Sequence, residues 1–134
     1  ERWGVGIQNP DESIVPDERN VLDVIFINDS SVASSGDYMR YYVVNGRVLH
    51  HIIDPATLMP ADYYRAVTVM TAHAGVADFL STTLFLLPFE QSRALAESLD
   101  GVEAVWVMPD GEVKATDGMK AIMRSQGASG ASAR

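Results

Sequence analysis

Tyr41-Tyr42-Val43-Val44-Asn45-Gly46-Arg47-Val48-Leu49-His50-His51-Ile52 is the stretch from which the fold is read. Asn and Gly tolerate the positive φ that both corners of a type I′ turn require, and aromatic and β-branched runs flank the pair. The chain therefore doubles back into an antiparallel hairpin. Working outward, Arg2 to Gln8 and Val21 to Ile27 read as strands, with a polar loop from Asn9 to Asn20 between them. Asn28 to Asp37 reads as a loop rich in Ser and Gly. Beyond the hairpin, Asp54 to Pro60 is a loop and Ala66 to Met70 a short strand. Gly75 to Leu87 is helical and stopped by Pro88, and Glu90 to Leu99 is a second helix with Gly101 as its expected C-cap. Glu103 to Met108 and Glu112 to Ala115, joined by Pro109-Asp110-Gly111, form a second hairpin, and Gly118 to Arg124 a short helix. Antiparallel hairpins with two packed helices define an α+β class. Residues 1–124 form one domain on this reading, and Ser125 to Arg134 a disordered tail.

With 134 residues, 47% of them hydrophobic, the chain can build one core. No apolar run reaches the ~18 residues needed to cross a bilayer, which predicts a soluble chain with no visible signal peptide. The sequence begins on what reads as strand interior, which predicts a cut, split or processed chain. Net charge is −8, and the basic residues form no run, so nucleic acid is excluded as a partner. An anionic ligand would have to be held by backbone N–H groups, isolated arginines or a bound cation. The absence of cysteine excludes a disulfide, a thiolate zinc site and a Cys nucleophile.

The helix Gly75 to Leu87 places Asp78, Ser81 and Thr82 on one narrow stripe, opposite a wide arc of Val76, Phe79, Leu80, Leu84 and Leu87. A largely buried helix that presents a carboxylate and hydroxyls needs a cation or donors to keep the carboxylate charged. Asp78 and Thr82, at i and i+4, supply two hard oxygen ligands suited to Mg²⁺. The plain alternative is an Asp favoured by the helix dipole, with hydroxyls bonding back to the main chain. His50 and His51 are strand neighbours and point to opposite faces, so a two-histidine metal site is not expected. A packed histidine and a turn-forming Asp54 are the plain reading of that segment. Ser34-Ser35-Gly36-Asp37-Tyr38 combines hydroxyls with a Gly that admits close backbone approach, a weak phosphate-cradle signal. Gly4-Val5-Gly6 lacks the third Gly of a dinucleotide fingerprint, and neither a phosphate-binding P-loop nor a G-x-S-x-G elbow occurs.

Taken in order, these segments resemble the ApbE family. The blocks are Trp3-Gly4-Val5-Gly6-Ile7-Gln8-Asn9-Pro10, Ser31 to Tyr41, His50-His51-Ile52-Ile53-Asp54-Pro55, Val67-Thr68-Val69 and Ala77-Asp78-Phe79-Leu80-Ser81-Thr82-Thr83-Leu84-Phe85. The likeness runs from about Arg2 to Gly118 and implies the C-terminal part of an ApbE-like fold. It implies Mg²⁺-dependent transfer of FMN from FAD to a Thr or Ser hydroxyl of an acceptor flavoprotein, releasing AMP. By resemblance Asp78 and Thr82 are the metal ligands. Ser35, Gly36, Asp37, His51 and Asp54 line the FAD site, and His51 is the candidate catalytic residue.

Near readings are a Mg²⁺-dependent FAD hydrolase giving FMN and AMP, and a non-catalytic flavin-binding module. The family's amino-terminal half has no counterpart here, so the fragment alone is expected to be inactive. It is expected to pair with that half, or to form a domain-swapped oligomer or prove poorly soluble. Family members are usually lipoproteins at the extracytoplasmic face of the cytoplasmic membrane, which implies that location for a full-length protein. One departure concerns Thr57-Leu58, where the family usually has Thr-Gly; Leu is accommodated if its φ stays negative.

Overall fold

The computed structural model describes residues 2–10, 20–38 and 40–130. In chain order the elements are β1 (Trp3–Gln8), β2 (Val21–Ile27), β3 (Ser31–Gly36), β4 (Tyr41–Val44), β5 (Arg47–His50), β6 (Ile53–Asp54), β7 (Met59–Pro60) and β8 (Ala66–Thr71), then α1 (Ala74–Phe85), α2 (Phe89–Ser98), β9 (Glu103–Val107), β10 (Val113–Ala115) and α3 (Asp117–Lys120). A 3₁₀ turn, Arg124–Gln126, follows. The class is α+β, as the hairpin pattern predicts. Most of the loop expected between Asn9 and Asn20 lies outside the described residues.

The centre is a four-stranded antiparallel sheet in the order β10-β9-β8-β3. Alternation along the inner strands sends side chains to two separate cores. Val67, Val69, Ala104 and Trp106 face α1 and α2, where Leu80, Leu84, Phe85 and Ala96 meet them. Val105 faces the other way, into a smaller cluster with Ile7, Ile25, Met119 and Met123. The ribbon of β1 and β2 covers that second face, its register running from Trp3↔Ile27 to Gln8↔Val21. The layers are thus helices, sheet, and ribbon with α3.

The β4–β5 hairpin turns as read: Asn45 has φ 50° and Gly46 φ 75°, and Val44 pairs with Arg47. Among the described residues the two strands pair only with each other, and Tyr41, Tyr42, Val43, Val44 and Val48 are all exposed.

Four expectations need correction. The segment read as a Ser- and Gly-rich loop contains β3, an edge strand paired from Ser31↔Thr71 to Gly36↔Ala66. Its low strand propensity is overridden because β8 and α1 offer it a partner and a cover. Helix α1 is not buried over the expected arc: Ala77, Leu80, Ser81, Leu84 and Phe85 are inside, whereas Val76 and Phe79 are exposed. Leu58 has φ 56°, left-handed rather than negative. Finally, Ser125 to Gly130 are tied down instead of forming a free tail. Ser125 bonds Asp23 through its amide and its hydroxyl, and Gly130 accepts the Arg2 amide at 3.1 Å. Residues 131–134 lie outside the described residues. At the helix ends the differences are small: α2 is capped by Leu99, and Gly101, at φ 71°, turns the chain two residues later.

Candidate active site

Strand β3, the bend after β5 and helix α1 meet in a cleft of about 470 Å³. Ser34, Ser35, Gly36, Arg40, His51, Asp78 and Thr82 are among its walls. Three segments far apart in sequence thus bring together five of the seven residues singled out in the sequence: Ser35, Gly36, His51, Asp78 and Thr82. The floor is a chain of hydroxyls. Ser35 Oγ lies 2.9 Å from Ser81 Oγ and 3.3 Å from Thr82 Oγ1. Ser81 donates to the Asp78 carbonyl at 2.9 Å, so part of the predicted polar stripe is back-bonded as the plain alternative proposes. The dipole half of that alternative fits less well. Helix α1 starts at Ala74 and has no acid in its first turn. Asp78 is its fifth residue, beyond the reach of most of the dipole effect.

The two histidines part company as strand geometry requires. His50 is buried, edge-on to Phe85, with Nε2 2.6 Å from the Ala61 carbonyl and Nδ1 accepting the Ile52 amide at 3.2 Å. A carbonyl only accepts, so His50 carries its proton on Nε2 and both ring nitrogens are used. His51 is exposed on the cleft. Its Nδ1 is 3.3 Å from the Arg40 carbonyl, which also receives the His51 amide at 3.1 Å. The same logic puts the proton on Nδ1 and leaves Nε2 with its lone pair.

Asp37 and Asp54 are not at this cleft. Both line a second cavity of about 460 Å³ together with His50, Tyr63, Tyr64 and Arg65. Asp37 follows Gly36 and so turns to the other side of the strand, where Oδ2 pairs with Arg65 Nε at 2.9 Å. Asp54 is buried and works as a turn former: its Oδ1 accepts the Ala56 amide at 2.8 Å and its carbonyl the Leu58 amide at 2.8 Å. Tyr38, beside Gly36, has its phenol pushed up by burial and, secondarily, by the Asp37 charge. Arg40 was not singled out in the sequence. The available signal was a lone cation just after Ser-Gly-Asp-Tyr in a chain of charge −8.

Among the described residues no group of three or more His, Asp or Glu could hold a metal. The cleft offers one carboxylate and several hydroxyls, which does not suit zinc. It does fit Mg²⁺, which keeps several waters and is commonly held by one or two carboxylates plus substrate phosphates.

The fold and cleft define an α+β domain in which a carboxylate, hydroxyls and a histidine from separate segments meet. Comparison with known proteins identifies its family. Residues 1–106 match the model of the ApbE family, and the chain belongs to that family. It is 36% identical over 118 residues to the FAD:protein FMN transferase of Treponema pallidum, covering 87% of this chain and 32% of that protein. The Haemophilus influenzae protein of the same name is 38% identical over 96 residues, 71% of this chain and 27% of that one. The ApbE protein of Thermotoga maritima superposes with a TM-score of 0.78 at 32% identity, over 90% of this chain and 38% of that one. The Pseudomonas stutzeri flavinyl transferase ApbE, in its apo form, gives 0.66 at 29% identity over 98% and 38%. The chain thus spans about a third of the length of the curated relatives it matches.

Proposed function

We propose that this chain supplies the acceptor side of a Mg²⁺-dependent flavin transferase site, moving FMN from FAD to a Thr or Ser hydroxyl of an acceptor flavoprotein and releasing AMP. The observation that carries it is the gathering of Ser35, Gly36, His51, Asp78 and Thr82 at one cleft, in a chain whose relatives bear the name FAD:protein FMN transferase. A divalent cation held by the Asp78 carboxylate and the Thr82 hydroxyl would neutralise charge on the pyrophosphate as its P–O–P link opens. Ser35, bonded to both Ser81 and Thr82, sets the distance between β3 and α1 and so the position of the Thr82 oxygen. Gly36 leaves room for the Tyr38 ring, which a Cβ at this position would overlap, and so fixes the wall of the cleft beside Ser35. His51 Nε2 takes the proton of the acceptor hydroxyl while the new O–P bond forms, and AMP leaves with the bonding pair. The Arg40 carbonyl holds Nδ1–H throughout.

The exposed Val76 and Phe79 flank Asp78 on α1, and on this reading the rest of the family's site, or a second copy of the chain, closes over them. Among the described residues no helix is long and apolar enough to cross a membrane. Work at the extracytoplasmic membrane face, through an anchor elsewhere, is part of the same proposal.

Calorimetric titration of FAD with and without Mg²⁺, into the wild type and Asp78→Ala, tests the reading. Mg²⁺ is expected to strengthen FAD binding to the wild type about tenfold or more, and to leave Asp78→Ala unchanged. Equal Mg²⁺ dependence in both proteins would remove Asp78 from the site. Release of AMP without any acceptor would replace transfer by hydrolysis.

A further inference from the structure

In the second cavity Asp37 is engaged with Arg65, Asp54 with Ala56, and His50 with Ala61 and Ile52, while Arg47 and Asp62 are exposed at its edge. In the cleft the cation stands differently. Arg40 is exposed, lines the same cleft as Asp78 and Thr82, and has no carboxylate partner among the described residues. The ion pairs seen there are Arg65–Asp37 and Arg93–Glu97. Its main chain is fixed, because its carbonyl receives both the amide and the Nδ1–H of His51. A guanidinium anchored at its root, lacking an internal anion and facing a cleft whose one carboxylate repels phosphate, is arranged to receive an external anion.

We propose that Arg40 grips the pyrophosphate of the flavin dinucleotide, and thereby makes this cleft select FAD over FMN and riboflavin. The proposal rests on the flavin reading of the cleft. A pyrophosphate carries two charged groups linked by one bridging oxygen. The Asp78–Thr82 pair sits on α1 and Arg40 at the root of the β4–β5 hairpin, so the two grips approach the ligand from different elements. Arginine presents a planar fork that matches two phosphate oxygens at once, whereas lysine offers a point charge. Riboflavin has no phosphate for either grip, and FMN has only one.

Arg40→Gln removes the fork but leaves the carbonyl that holds His51. Residue 40 is exposed, so the fold should tolerate the change. The test is a titration followed by ¹H–¹⁵N spectra, which read even millimolar binding at the Gly36 and His51 amides. FAD, FMN and riboflavin are each added with Mg²⁺ to wild type, Arg40→Lys and Arg40→Gln. FAD binding is expected to weaken about tenfold in Arg40→Gln, as for loss of one charge-assisted contact at an exposed site. Arg40→Lys should fall between, and riboflavin should bind all three proteins alike. The dependence of FAD binding on salt should also flatten in Arg40→Gln. If FAD binds Arg40→Gln as tightly as wild type, or FAD and riboflavin weaken by the same factor, Arg40 is no pyrophosphate grip, though the flavin reading stands. If FAD moves no cleft amide in the wild type, the flavin reading and this proposal fall together.

Discussion

Replacing Ser92 by Ala removes one oxygen from the centre of the larger core, and its cost follows from the bonds around it. Ser92 is fully buried; its hydroxyl donates to the Leu84 carbonyl at 2.8 Å and accepts the Trp106 indole N–H at 2.8 Å. Trp106 is itself buried and packs edge-on to Phe89, with ring centroids 5.4 Å apart. Water has no access to the indole nitrogen once the oxygen is gone. Losing the two bonds costs about 1 kcal/mol each, and leaving a buried donor unpaired adds about 1 kcal/mol more. The Leu84 carbonyl keeps a long contact to the Leu87 amide at 3.4 Å, so it contributes less than the indole. Ser92→Ala should therefore lose about 3 kcal/mol, or roughly 10 °C in Tm for a domain of this size. Urea unfolding followed by circular dichroism measures it. Trp106→Phe supplies the control: with no N–H to strand, adding Ser92→Ala should cost only about 1 kcal/mol. A loss below about 1 kcal/mol in the single variant, or strict additivity in the double, would refute the bond as a fastening. It matters for the cleft because Leu84 lies two residues beyond Thr82 on α1, so Ser92 steadies the helix that presents the proposed ligands.

Two further outcomes are expected. Leu58 sits at φ 56° with 78% of its surface exposed, so its side chain contributes little and its backbone is strained; Leu58→Gly should be neutral to about 1 kcal/mol stabilising and Leu58→Val about 1 kcal/mol destabilising, and equal urea midpoints for the two would contradict the strain. Burial pushes the Tyr64 phenol up to about 12, and its hydroxyl donates to the Leu87 carbonyl at 2.7 Å. The unfolded chain therefore loses that proton first, near pH 10, and stability should fall between pH 10 and 12; a wild-type slope there no steeper than that of Tyr64→Phe would count against it.

The hairpin at Asn45-Gly46 was legible because a two-residue turn is set by local sterics alone. β3 was not, because Ser31 to Gly36 owes its strand state to β8 and α1, neither of which is written in its own residues. The same limit applies to α1. Periodicity identified the helix but placed Val76 and Phe79 inside, since the position of the sheet decides which arc is covered. Motif order singled out seven residues, of which Ser35, Gly36, His51, Asp78 and Thr82 line one cleft and Asp37 and Asp54 line the other cavity. One step of strand alternation turns Asp37 away, and a two-residue Asx turn consumes Asp54. Arg40 escaped notice because an isolated exposed cation has no pattern; only its company identifies it.

The β4–β5 ribbon is rooted at the pair of bonds joining Arg40 to His51. Four residues of strand reach about 13 Å from that root. A rocking motion of about 10° would carry the Asn45-Gly46 tip roughly 2 Å by that geometry. The imidazole, close to the pivot, would travel only a small fraction of that distance. The ribbon thus behaves as a long arm on a short fulcrum: broad excursions at the turn reach the histidine scaled down, and a load placed on the turn reaches it multiplied.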